Sequence, residues 1–178
     1  MTNAELILTT LDRHLTVPVE LTLYGRAALQ LGFPDPPAEY AQSLDVDGVL
    51  WMGQAEELLQ HSNFWQAVAA VNAALAPQGL YISHFFEETQ LVLTPGWRTQ
   101  RQSLPPLGAK LRLFRLGNAD LFLTKLMRYD PQDLQDARFI AERTGWTTAE
   151  LQRLLHQAQL PDIPEIREQF ALCAKHFS

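Results

Sequence analysis

One cysteine, Cys173, is all the thiol chemistry the 178-residue chain offers. A single thiol excludes an internal disulfide framework and any cysteine-rich zinc site, and it suits a reducing cytoplasm. No apolar run approaches the ~18 residues that a transmembrane helix requires. The first residues carry Glu5 and Asp12 and lack the basic-then-apolar order of a signal peptide. The expectation is a cytoplasmic protein with no membrane partner. The five histidines form no close pair of the metal-ligating kind. Neither a nucleophile elbow nor a P-loop is present. Positive charge is also in short supply: the net charge is −6, which argues against a general nucleic-acid-binding surface and leaves room only for a local basic groove.

What is present is a chain of ordinary hydrophobic content, 47%, long enough for a sizeable core. Leu6, Ile7, Leu8, Leu11 and Leu15 mark a first helix over 3–15. "VELTLY" at 19–24 alternates and reads as a strand. "GRAALQLG" follows as a short helix ended by Gly32. Three prolines in 33–43 make a loop, and "LDVDGVLW" is the next strand. A helix with Ser62 as N-cap is expected over 62–77. "LYISHFF" and "TQLVLT" flank Glu87 and Glu88 and suggest a hairpin. A long Pro- and Gly-bearing loop over 94–109 leads to a strand at 110–116, with Leu111, Leu113 and Leu116 facing away from Arg112 and Arg115. From 118 onward the pattern is helical. Asp130 and Pro131 start one helix and Gly145 ends it. Thr147 and Glu150 form a capping box for the next, and a terminal helix covers 164–176. The expected fold is α+β: a small mixed sheet with flanking helices over 1–117, then a helical C-terminal part over 118–178.

The chemistry concentrates in 23–50. On a strand, Asp45 and Asp47 point to one face about 6.6 Å apart, while Leu44, Val46 and Leu50 point into a core. Two carboxylates on one face repel unless a cation lies between them. Oxygen-only ligands suit Mg²⁺ or Mn²⁺ shared with substrate phosphates. Upstream, the strand–Gly25–helix junction offers backbone N–H groups at a helix N-terminus, an anion site. Together they outline a phosphoryl- or nucleotidyl-transfer site. Each half alone has an ordinary reading: a solvated strand face for the aspartates, a simple turn for the glycine.

The order of these pieces resembles the nucleotidyltransferase fold of the DNA polymerase beta superfamily. That pattern is an apolar strand, Gly-Gly or Gly-Ser, a short helix, and Asp-x-Asp on the next strand. Within it, the chain is most similar to small bacterial AbiEii-like and uncharacterised nucleotidyltransferase-domain proteins. Their Asp-x4-Lys, Arg and Asp-x-x-Asp positions correspond here to Asp120 and Lys125, then Arg128, then Asp133 and Asp136. The resemblance covers roughly residues 19–155. It departs at Arg26, which stands where a second small residue is usual, and at the Pro-rich insertion over 33–43.

The resemblance implies an enzyme that moves an NMP from an NTP to a hydroxyl of an RNA, protein or small-molecule acceptor. Asp45, Asp47 and a third carboxylate, with Glu88 the choice over Glu87, would hold Mg²⁺ or Mn²⁺. Gly25, Arg26 and Arg128 would bind the nucleotide. Lys125 would steady the phosphates or the transition-state charge. Asp120, Asp133 and Asp136 would support it. It also implies toxin–antitoxin or phage-defence pairing with a cognate partner protein. The other reading keeps the fold as a catalytically inactive binding or regulatory module. Under that reading Lys125 snorkels from an apolar face, Asp133 favours a helix dipole, and the charged residues form a structural network.

Overall fold

The computed structural model describes all 178 residues. They form a mixed six-stranded sheet with eight α-helices, an α+β fold. No helix is long and apolar enough to cross a membrane. The chain divides into two units. One contains Met1–Phe86 and Arg101–Arg115; the other contains Glu87–Gln100 and Leu116–Ser178. Segment 87–100 therefore groups with the helical part of the chain.

The first unit begins with α1 (Asn3–His14), started by a capping box between Thr2 and Glu5. Ile7, Leu8 and Leu11 are fully buried along one face of it. The sheet is built around β1 (Val19–Tyr24). It pairs antiparallel with β2 (Asp45–Leu50) and parallel with β6 (Leu111–Arg115). On the far side of β2 lies β3 (Tyr81–Ile82), parallel to it, and β5 (Gln102–Ser103) closes the opposite edge against β6. A further short strand, β4 (Phe86–Glu87), also pairs with β2. The strand β1 is apolar along most of its length because it is central. Helix α2 (Gly25–Gly32) follows it directly, ending at Gly32 as the composition implies.

Asp12 ties α1 to the start of β6. Its carboxylate accepts backbone N–H bonds from Ala109, Lys110 and Leu111 at 3.2, 2.7 and 2.7 Å. Burial pushes this carboxyl up, but the three N–H groups and the Lys110 charge bring it below its ordinary value. Gly108 allows the approach, because a Cβ there would fall 2.1 Å from Asp12.

Several expectations need correction. Leu44 is 54% exposed rather than in the core, because β2 begins only at Asp45. Arg115 sits on the buried face of β6 with Leu111 and Leu113. Its guanidinium donates to Gln102 Oε1 at 2.5 Å and to the Gly32 carbonyl at 3.3 Å, and it stacks over Phe33. Burial lowers its pKa to about 10. A helix absent from the sequence reading, α3 (Gln54–His61), precedes α4 (Phe64–Leu75), whose N-cap is Asn63. Ser62 instead caps the C-terminus of α3, although its hydroxyl still accepts from Phe64 N at 3.2 Å. No hairpin joins the two segments around Glu87 and Glu88. Tyr81 and Ile82 pair with β2, residues 88–90 form a 3₁₀ turn, and Leu93 bridges to Gln159.

The second unit contains α5 (Asn118–Thr124), α6 (Pro131–Thr144), α7 (Thr148–Gln157) and α8 (Pro164–Ala174). The expected caps are present. Asp130 accepts from Gln132 N and Asp133 N, Gly145 ends α6 in the left-handed region, and Thr147 with Glu150 boxes α7. Phe122 is the centre of this core, with Trp146 and Phe177 packed edge-on against its ring.

Candidate functional site

The end of β1 and the start of α2 meet β2 at the acidic pair. Tyr24 stands opposite Asp47 in the antiparallel register. The next residue, Gly25, adopts φ +71°, which L-residues with a Cβ disfavour. A Cβ at Gly25 would also lie 2.5 Å from Asp47 Oδ2. Glycine is thus favoured here by its dihedral angle, and it also leaves room for the carboxylate packed on it. The sequence-predicted turn and the Asp-x-Asp strand are direct neighbours.

Asp45 and Asp47 are both half-buried on the same face of β2. Ser83 donates its hydroxyl to Asp47 Oδ1 at 2.5 Å, and Ser43 donates to Asp45 Oδ1 at 3.2 Å. Tyr81 is the register partner of Asp45. The Asp45 charge, then burial, then the Asp47 charge raise the phenol above its ordinary value of 10.0. The phenol is therefore protonated at neutral pH. Arg26 is half-buried and stacks its guanidinium 4.9 Å from the Tyr40 ring centroid, within the insertion that lengthens this motif.

No group of three or more His, Cys, Asp or Glu side chains is arranged to hold a metal. Two carboxylates sharing a face nevertheless match the donor set of Mg²⁺, which takes one or two carboxylates and completes its shell with water and substrate phosphates. Glu88, the third carboxylate chosen from the sequence, accepts Trp97 Nε1–H at 2.7 Å within the helical unit. There it borders a cavity of about 310 Å³ floored by Leu91 and Leu93.

The helical unit also gathers the second motif. Lys125 caps the end of α5 and is buried. Its Nζ reaches Asp133 Oδ1 at 3.2 Å and Asp136 Oδ2 at 2.8 Å. Arg128, largely solvent-facing, adds a two-pronged contact to Asp133 Oδ2 at 2.7 and 2.9 Å. Two buried carboxylates and a buried ammonium neutralise one another, which accounts for all three residue types without a ligand. Asp120 is separate from this cluster's ion pairs. Fully buried, it accepts Thr94 N–H at 2.6 Å, and its Oδ2 has no hydrogen-bond partner. Burial raises its pKa, against the opposing pull of the Thr94 backbone and side chain.

Sequence reasoning missed Tyr81, Ser83 and Ser43 at the acidic pair. Ser43 was visible as a neighbour two residues upstream. Tyr81 and Ser83 reach the aspartates through the β2–β3 pairing, a contact 36 residues away in sequence. No family model, curated protein or solved structure matches the chain.

Proposed function

We propose that the chain is a metal-dependent nucleotidyltransferase that moves an NMP from an NTP to an acceptor hydroxyl. The observation that carries this reading is the packing of Gly25, at the N-terminus of α2, directly on Asp47. It brings a helix N-terminus, which would bind an anion, beside one of two carboxylates that would share a cation. The backbone N–H groups after Gly25 would hold the donor's terminal phosphates. Asp45 and Asp47 would hold Mg²⁺, which supplies charge neutralisation for those phosphates when bound. Ser83 and Ser43 orient the two carboxylates.

In the reaction, the acceptor oxygen attacks the α-phosphorus. A new phosphorus–oxygen bond forms as the bond to the bridging oxygen breaks, pyrophosphate leaves, and the hydroxyl proton passes to the carboxylate pair. Lys125 enters as the support of the helical unit, since both of its carboxylate partners already hold it. The cytoplasm, with its reducing conditions, is the proposed compartment.

A second reading is favoured by two observations. Arg26 is stacked on Tyr40, and the carboxylates already have hydroxyl partners. Under it the same site binds a nucleotide and does no chemistry. The test is label transfer and pyrophosphate release from each α-labelled NTP with Mg²⁺, offering total RNA and bulk protein as acceptors. Turnover lost in Asp45→Asn/Asp47→Asn, at unchanged melting temperature, supports the enzyme. Mg²⁺-dependent NTP binding with no turnover selects the binding module. Turnover that survives in the variant contradicts both.

A further inference from the structure

We propose that the Tyr24–Phe86 ring pair is the seat of the nucleobase, so that this site accepts nucleotides by stacking and not by reading base edges. The inference rests on the triphosphate-binding reading above and adds the substrate contact it leaves open. Cross-strand partners in an antiparallel pair share a face. Tyr24, directly opposite Asp47, therefore presents its ring on the same face as the carboxylate, one residue before the Gly25 turn. Phe86 opens β4, which pairs with β2. Its ring meets Tyr24 edge to face, with centroids 6.3 Å apart and planes at 71°.

Phe86 keeps 37% of its surface exposed, while the core phenylalanines Phe64 and Phe122 are fully buried. An exposed phenyl ring forgoes the burial that stabilises its counterparts, and it has no polar atom to offer a ligand. What it can offer is a flat apolar face. The neighbouring ring fixes its orientation in advance, which lowers the ordering cost of binding. Tyr81, the register partner of Asp45 on β3, is 44% exposed and carries a phenol under the charge of that carboxylate. Of the exposed rings on the strands that pair with β2, Phe86 is the one with no polar atom. Stacking on a ring tolerates every base. All four NTPs should bind, purines more tightly than pyrimidines because they cover more of the ring.

The test is calorimetric titration of the parent, Phe86→Ala and Phe86→Trp with Mg²⁺-ATP, Mg²⁺-CTP and Mg²⁺-tripolyphosphate. The expected result is ATP binding at least about ten-fold tighter than tripolyphosphate in the parent, with CTP between them. Phe86→Ala should erase that advantage and leave tripolyphosphate affinity unchanged. Phe86→Trp should keep it. If tripolyphosphate binds and ATP is no tighter, or if the ATP advantage survives in Phe86→Ala, the stacking proposal is overturned and the triphosphate site stands. If neither ligand binds the parent, the triphosphate reading itself fails and the stacking proposal falls with it.

Discussion

Replacing Gly25 by alanine tests the junction on which the site depends. The substitution forces a Cβ into the left-handed region at φ +71°, costing about 1 kcal/mol. It also drives that Cβ to 2.5 Å from Asp47 Oδ2, so the carboxylate must swing away. That movement breaks the Ser83 hydroxyl bond to Asp47, worth about 1 kcal/mol. The sum is about 2 kcal/mol, which for a chain of this size lowers Tm by roughly 4–8 °C. The dihedral and steric parts separate in a double-mutant cycle with Asp47→Ala. Once the carboxylate is gone, Gly25→Ala costs only its backbone strain. The two substitutions should therefore couple by about 1 kcal/mol in urea unfolding. Additive effects, or a Gly25→Ala protein as stable as the parent, would refute the claim that Gly25 exists to admit Asp47.

Lys125→Met removes the buried ammonium shared by Asp133 and Asp136 and should cost about 3–5 kcal/mol in urea unfolding. Arg128→Ala removes a largely solvent-facing partner of the same network and should cost at most about 1 kcal/mol. Equal losses would show that the network does not work as described. Because burial raises the Asp120 pKa, the native state holds this proton more strongly than the unfolded chain. The associated stability is present below the unfolded value of about 4 and is lost as pH rises through the raised native value. Asp120→Asn keeps an acceptor for Thr94 N–H and has no charge to bury. It should be at least as stable as the parent at pH 7, with its advantage shrinking on acidification in pH-dependent melts. Cys173 is fully buried and its thiol is pushed up to about 11 by burial and by the Asp133 charge. Iodoacetamide at pH 7.5 should label it far more slowly in the native protein than in denaturant, as read by intact-mass spectrometry.

Local chemistry was the legible part of the fold. Asp130 with Pro131, Gly145, and the Thr147–Glu150 box act within a few residues, and each appears where the sequence places it. So does α2 between its two glycines. Strand faces were less legible, because they depend on partners. Arg115 reads as an outward residue until Gln102 and Gly32 are seen to supply acceptors for it. Leu44 reads as core until β2 is seen to begin one residue later. The extended segment at Tyr81 and Ile82 was legible, but its partner was not, because it pairs with the distant β2 and not with the segment that follows it. At the candidate site, the adjacency of Gly25 and Asp47 followed from motif order. Lys125, Asp133 and Asp136 were legible as a charge cluster from helix spacing. Glu88 could not be assigned from pattern alone, because its partner Trp97 lies across a 3₁₀ turn and an irregular segment.

The most direct test of the nucleotide-binding claim is calorimetric titration with each NTP, with and without Mg²⁺, on the parent and on Asp45→Asn/Asp47→Asn. The account predicts binding that requires Mg²⁺ and disappears in the variant while its melting temperature holds. Failure of every NTP to bind the folded parent, or equal binding by the variant, would contradict it and leave the two aspartates as a hydrogen-bonded strand face.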